Sequence, residues 1–183
     1  PFRETSFIVA GISPDCGRLD FVVRGARAIG KRGFPQVGLF REYAVSFRPA
    51  RRESGLATLL SLELERTHDD LAKNMDGYLS VCAMTQSILR RSQPFLEMPE
   101  FWRALSTALT RLESKTGGEP ECSLALLVFL RENGLLPARV PFAEHLDALL
   151  DYACRPEARL PELPPDYLTR VSAWIRAAFD RIA

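Results

Sequence analysis

Apolar and polar residues follow two different periods along this chain, and the period changes near residue 66. Before that point, β-branched and aromatic residues cluster in short runs with alternating character, which is typical of strands. We predict strands at 5–12, 19–24, 38–47 and 56–64. The turn-forming residues 13–17 join the first two strands as a hairpin with a five-residue connection. Short strands with turns at this spacing predict a small barrel or sandwich.

After residue 66 the apolar residues recur every three or four positions, which predicts helices. Residues 67–70 (Thr-His-Asp-Asp) are expected to cap the first helix. Residues 124–130 are apolar on every side, so we expect that helix at the centre of a bundle. The predicted boundaries of the helices are Pro94, Pro99, 116–118, 133–134 and Pro165.

The change of period predicts a β-then-α protein of the α+β class. We place a small β domain at 1–66 and a helical bundle at 67–183. The chain contains no apolar run long enough to span a membrane and no signal-peptide pattern. A cytoplasmic protein is therefore expected.

Positive charge is concentrated in the β domain. Residues 1–66 carry 11 Lys and Arg against seven Asp and Glu, whereas residues 67–183 carry 13 against 16. The net charge of +1 thus combines a basic first third with a mildly acidic remainder. This distribution favours nucleic acid as a partner of one end of the molecule.

The most informative stretch is 17–32, where an apolar strand leads into a basic segment with glycines at 17, 25 and 30. Cations on such a segment neutralise phosphates and release condensed counterions. The predicted DNA-binding residues are Arg18, Arg24, Arg27, Lys31, Arg32, Arg48, Arg51 and Arg52. Phe21, Phe34 and Tyr43 are candidates for stacking on bases.

No catalytic or metal-binding constellation stands out. Residues 25–31 have the phosphate-loop spacing, but Arg32 replaces the Ser or Thr that holds magnesium, and Gly33 and Pro35 prevent the helix that should follow. The four cysteines are all more than 25 positions apart in sequence, so no metal-binding pair is present. We expect no metal, no cofactor and no enzymatic activity.

An ordered set of short motifs resembles the RecO family of DNA repair and recombination mediators. The motifs are 1–6 (PFRETS), 17–19 (GRL), 23–27 (VRGAR), Leu39-Phe40 with Tyr43, Tyr78, Leu126-Leu127 and 133–137 (NGLLP). The set covers most of the chain and is strongest over 1–64. Two departures stand out. Family members begin several residues earlier, which implies a truncated first strand, and the family's four-cysteine zinc site has only Cys154 here.

The resemblance implies an N-terminal OB barrel and a helical C-terminal domain. It implies binding of single- and double-stranded DNA, annealing of complementary strands, and help for RecA in replacing single-strand binding protein, together with RecR. It also implies a nucleoid-associated location. In the family, the helical domain binds the acidic tail of single-strand binding protein, which ends in Phe, in an apolar groove. Candidate cations for that groove are Arg90, Arg91, Arg103 and Arg111.

Two other functions remain open on sequence. A generic single-stranded DNA- or RNA-binding OB protein would bind strands without annealing them. A helical protein-interaction scaffold would have no affinity for nucleic acid, and its basic segments would be solvated surface.

Overall fold

The computed structural model describes residues 6–23, 37–49, 56–114 and 118–182, and its strands precede its helices. The strands are β1 (Phe7–Ser13), β2 (Gly17–Val23), β3 (Glu42–Arg48) and β4 (Ala57–Arg66). The α-helices are α1 (Met75–Arg91), α2 (Pro99–Glu113), α3 (Glu119–Glu132), α4 (Leu146–Cys154) and α5 (Tyr167–Asp180). Short 3-10 turns at Asp69–Lys73 and Ala143–His145 precede α1 and α4. The predicted β-then-α order is confirmed.

The four strands form one sheet in the order β1-β2-β4-β3. β1 and β2 are antiparallel, as are β3 and β4, whereas β2 and β4 are parallel. Because Ser13 pairs with Gly17, the β1–β2 connection is three residues long, shorter than the predicted five. β1 and β3 are edge strands, so within the described residues the sheet is open. The expected barrel is thus realised as an open four-stranded sheet.

The helices enclose the larger of the two apolar cores. Every residue of α3 from Glu121 to Leu130 is buried, which confirms the prediction of a central helix. Aromatic rings link α3 to its neighbours. The centroid of the Phe129 ring lies 5.4 Å from that of Phe101 in α2 and 5.7 Å from that of Phe179 in α5. Edge and tilted contacts of this kind add to the stabilisation from apolar burial. The bundle therefore packs around α3.

Two predicted helix ends agree with the structure and one does not. Pro99 is the first residue of α2, and α3 ends at Asn133 and Gly134, whose φ is +67°. The first helix, however, is capped by Asn74, whose side chain accepts a hydrogen bond from the Gly77 N–H at 3.0 Å. The prediction of a cap at 67–70 was wrong, because His68 is buried and the following residues form the 3-10 turn.

The turn between β1 and β2 is hydrogen-bonded to the connection between α1 and α2. The bonds run from the Phe95 N–H to the Cys16 carbonyl (2.9 Å), from the Met98 N–H to the Pro14 carbonyl (2.8 Å) and from the Arg18 N–H to the Gln93 carbonyl (3.3 Å). Beside them, Ile12 packs against the helical core. We call this set of contacts the turn clamp. It fixes the position of the sheet on the helices.

Gly17 lies at the centre of the turn clamp and is expected to tolerate no side chain. Its φ is +62°, and a Cβ atom would lie 2.3 Å from the Leu96 carbonyl oxygen and 2.9 Å from that of Gln93. Both oxygens belong to backbone, so the side chain would force the clamp apart. We expect Gly17→Ala to lower the free energy of unfolding by about 3 kcal/mol or more, measured by urea denaturation.

Gly134→Ala is the matched control. Gly134 has φ +67° and open space around its Cα, so only the conformational cost of about 1 kcal/mol should appear. Equal losses in the two variants would contradict the steric role of Gly17.

Candidate nucleic-acid interface

The register of the sheet places Arg18 and Arg48 on one face. Ile12 pairs with Arg18, while Ile8, Val22, Thr58 and Arg48 follow one another across the four strands. Residues two apart on a strand share a face, so Arg18 and Val22 point to the same side. The opposite face carries the smaller apolar core, formed by Phe21, Val23, Ala57 and Leu59. The two described candidates therefore lie on the face of the sheet opposite the smaller apolar core.

The two basic segments begin next to each other in the sheet. Phe7 pairs with Val23, and Arg48 pairs with Thr58, so β2 and β3 end where β1 and β4 begin. We call this place the distal end, because it lies at the end of the β1–β2 hairpin away from the turn clamp; the β3–β4 pair continues beyond it to Glu42 and Arg66. The chain leaves the distal end twice, after Val23 and after Arg48. Six predicted residues fall in these two segments, outside the described residues: Arg24, Arg27, Lys31, Arg32, Arg51 and Arg52.

Arg48 is the described candidate best placed for a phosphate. It is the last residue of β3, it is exposed, and among the described residues it makes no hydrogen bond or ion pair. An arginine that is not neutralised by a neighbour keeps its full charge for an anionic ligand. Arg48 thus extends the predicted basic surface onto the sheet itself.

Arg18 is placed differently from the other candidates. Its guanidinium pairs with Asp20 at 2.9 Å and donates a hydrogen bond to the Leu89 carbonyl near the end of α1. About a third of its side chain is exposed. Two partners hold Arg18 at the turn clamp, where it helps to join β2 to α1, and its role in binding DNA stays a prediction.

The predicted stacking aromatics are mostly committed to packing. Phe21 is buried and meets Phe47 edge to face at 5.5 Å between ring centroids, so it is not a platform for a base. The Tyr43 hydroxyl accepts a hydrogen bond from the Gly38 N–H at 2.9 Å. Phe34 lies outside the described residues. For Phe21, the alternation in sequence reflects the smaller apolar core.

A polar cluster that the sequence did not indicate joins the sheet to the helices. The fully buried ring of His68 lies between two carboxylates, with Nδ1 2.8 Å from Glu113 of α2 and Nε2 3.2 Å from Glu42 of β3. The Ser106 hydroxyl donates to Glu42 at 2.7 Å. Only a ring with a proton on each nitrogen donates to both carboxylates. His68 thus connects β3 to α2.

The predicted cations of the helical domain also separate into different roles. Arg111 is buried, pairs with Glu121 at 3.3 Å and lies 3.6 Å over the ring of Tyr152, so it is structural. Arg103 is exposed and pairs with Glu100. Arg90 is exposed, and Arg91 lies with its guanidinium 4.6 Å over the ring of Phe179.

Beside Arg91, a groove of about 370 Å³ opens between α1, α3 and α5. Its apolar lining includes Met84, Leu126 and Phe179, and Arg176 stands at the rim, paired with Glu119. The Arg91 Nε atom is buried without a hydrogen-bond partner in the described part of the chain. Because this Nε is buried and Arg91 does not line the groove, the cation available to a ligand in the groove is Arg176.

The thiols of Cys122 and Cys154 have raised pKa values. Burial, with a smaller effect of the Glu121 carboxylate, raises the pKa of Cys122 to about 12. Burial and the nearby Glu100 carboxylate raise the pKa of Cys154 to about 11. Both side chains are therefore protonated at neutral pH and are poor nucleophiles.

Within the described ranges, no three His, Cys, Asp or Glu side chains are grouped as a metal site, and no helix is long and apolar enough to cross a membrane.

Replacing His68 tests the cluster at the joint. We expect His68→Ala to lower the free energy of unfolding by about 2 to 4 kcal/mol, because two partly buried carboxylates lose their common partner. Thermal or urea unfolding measures the change.

His145→Ala is the control, since His145 is partly exposed and its ring shares one hydrogen bond with the Tyr167 hydroxyl at 3.0 Å. Its expected loss is about 1 kcal/mol. Similar losses in both variants would contradict the joining role of His68.

Comparisons of the chain with protein-family models, with curated proteins and with solved structures found no match. The function is therefore argued from the residues and geometry of this chain, together with the motifs in its sequence.

Proposed function

We propose that this chain is a non-catalytic, RecO-like recombination and repair mediator. In this proposal it binds single- and double-stranded DNA, anneals complementary strands and helps RecA to replace single-strand binding protein. The observation that carries the proposal is the common origin of the two basic segments. Both begin at the distal end, beside the exposed Arg48, whereas the helices are bonded to the β1–β2 turn and to the start of β3. In this proposal, DNA contacts the cations at the distal end.

The strand order supports an OB barrel as the finer description of the sheet. β1 and β3 run in the same direction, because β1 is antiparallel to β2 and β3 is antiparallel to β4, which is parallel to β2. One further strand, antiparallel to both edges, would close the sheet. The product is a five-stranded barrel with one parallel pair, and five strands are the number in an OB fold. The first strand of the family's barrel is the natural occupant of that place.

The connection between β3 and β4 corresponds in this barrel to a loop that OB folds use for binding. OB proteins contact oligonucleotides through the face of their second and third strands and through the loop between the fourth and fifth. With one strand preceding β1, these become the β1–β2 hairpin and residues 49–56. That loop contains Arg51 and Arg52 and starts next to Arg48. In this proposal, Arg51 and Arg52 belong to a binding loop of the fold.

We assign the tail of single-strand binding protein to the groove between α1, α3 and α5. An acidic, Phe-ended peptide combines an apolar ring with carboxylates. The apolar lining of the groove, which includes Met84 and Phe179, suits the ring, and the half-exposed Arg176 at the rim is the cation that would meet a carboxylate. RecR is the further partner that the resemblance implies, and RecA acts on the product.

Replacing the basic residues is expected to lower both DNA affinity and its dependence on salt. Each lost phosphate contact reduces the slope of log K against log salt by about one. We expect a decrease of about two to three for Arg24→Ala, Arg27→Ala and Lys31→Ala combined, and of about one for Arg48→Ala. Fluorescence anisotropy with single-stranded DNA between roughly 50 and 200 mM salt gives the slopes.

Arg139→Ala is the matched control, because Arg139 is also exposed and lies in the helical half of the chain. Its slope should equal that of the unmodified protein. Unchanged slopes in the sheet variants would remove the distal end from the DNA interface.

Annealing of strands coated with single-strand binding protein tests the mediator function. We expect the chain to anneal them, and to fail when the coating protein lacks its acidic tail. Ala83→Glu places a negative charge in the groove and should cause the same failure on intact coating protein. Ala177→Glu, on an exposed position of α5 outside the groove lining, should anneal normally.

Binding without annealing would favour the generic single-strand binder over the mediator. No binding even at low salt would favour the protein-interaction scaffold. Either result would contradict the proposed function.

A further inference from the structure

Phe95 combines a strained backbone with an exposed ring. Its φ is +64°, in the left-handed region that residues other than glycine rarely adopt, and 65% of its surface is exposed. Such a conformation costs free energy and persists where the surroundings impose it. Residues with such backbone strain are concentrated at binding sites. The exposed ring of Phe95 is therefore a candidate contact for a ligand.

The turn clamp imposes the conformation. The Phe95 N–H is bonded to the Cys16 carbonyl, and Pro94, the residue before it, pairs with Gly17 as an isolated bridge. Met98, three residues later, is bonded to Pro14. The backbone on both sides of Phe95 is thus tied to the β1–β2 turn. The ring is presented to solvent from a rigid support, which lowers the entropy that a ligand must remove on binding.

The surroundings of the ring are polar apart from its neighbours in sequence. Pro94 and Leu96 are exposed beside it, and the next residue is the exposed Glu97. Asp15 is exposed on the turn that faces this connection. An isolated ring of this kind is too small to form the apolar centre of a stable protein interface, which buries more than about 1,000 Å². Its area does match the face of one nucleic-acid base.

A cation for the adjoining phosphate is available on α1. Arg90 stands in the last turn of that helix, is exposed, and makes no hydrogen bond or ion pair with any residue that the structure describes. The acidic side chains of Asp15 and Glu97 repel phosphate from the tip itself. A strand with a base on the ring would have Arg90, five residues before Phe95 in sequence, as a cation for its phosphate.

We propose that Phe95 is a stacking platform for one base of single-stranded DNA, with Arg90 contacting a neighbouring phosphate. The proposal rests on the proposed function and extends it from the sheet to the helical domain. The six residue steps of β2, at about 3.3 Å each, separate the distal end from the turn clamp by about 20 Å. A strand that contacts both places spans several nucleotides.

Phe95→Gly removes the ring and also relieves the backbone strain, so the variant is expected to fold. Its unfolding midpoint should be unchanged or higher. The loss of one stacked base should weaken binding of single-stranded DNA by about 5- to 150-fold. Stacking carries no charge, so the plots of log K against log salt for variant and unmodified protein should be parallel. Phe95→Trp, which keeps an aromatic face, should retain most of the affinity.

Double-stranded DNA provides the second readout, because its bases are already stacked and cannot meet the ring. We expect Phe95→Gly to leave its affinity unchanged. Leu135→Ala is the control for loss of an exposed apolar side chain elsewhere, and it should alter neither affinity.

The outcomes separate this inference from the proposed function. If the unmodified protein fails to bind single-stranded DNA, the proposed function fails. If it binds and Phe95→Gly binds equally well, the platform is refuted and the tip is left for a protein partner. Equal losses on single- and double-stranded DNA would also overturn the stacking role.

Discussion

The hydrogen bonds between the β1–β2 turn and the α1–α2 connection are the constraint on which the rest of the arrangement depends. They join backbone to backbone, with N–H groups of Phe95 and Met98 on carbonyls of the turn. Buried backbone groups that lose such partners are costly, so the clamp is expected to resist separation. Gly17 makes it possible, since a side chain at that position would occupy the space of the Leu96 carbonyl. One glycine therefore decides how a β domain and a helical bundle meet.

The clamp also decides which surfaces of the sheet are available. It holds the β1–β2 turn against the helices, and the His68 cluster holds the start of β3 against α2. In the register of the sheet, the distal end, with Arg48 and the starts of the two basic segments, lies between these two attachments. The basic part of the sequence thus belongs to the strands, and the acidic part belongs to the helices.

Local pattern predicted much of the fold, since alternation and helical spacing reflect burial by neighbouring residues. The central position of α3 followed from its unbroken apolar run, and the start of α2 followed from Pro99. Features made by distant residues could not be predicted. The polar run at 67–70 suggested a cap, but His68 is buried by Glu42 and Glu113, which lie 26 and 45 positions away. Similarly, no pattern in the sequence indicates that Phe95 adopts a positive φ, because the turn clamp imposes it.

Of the predicted DNA-binding residues, Arg48 is exposed and unpaired among the described residues, while Arg18 is bound at the turn clamp.

The central claim is that DNA meets this protein at the distal end of the sheet. Hydrogen–deuterium exchange of the backbone amides, with and without a single strand of about 16 nucleotides, tests it most directly. The account predicts that DNA slows exchange in peptides covering the end of β2, the end of β3 and the start of β4, and leaves α4 unchanged. Protection confined to the helices, with none at the distal end, would contradict it.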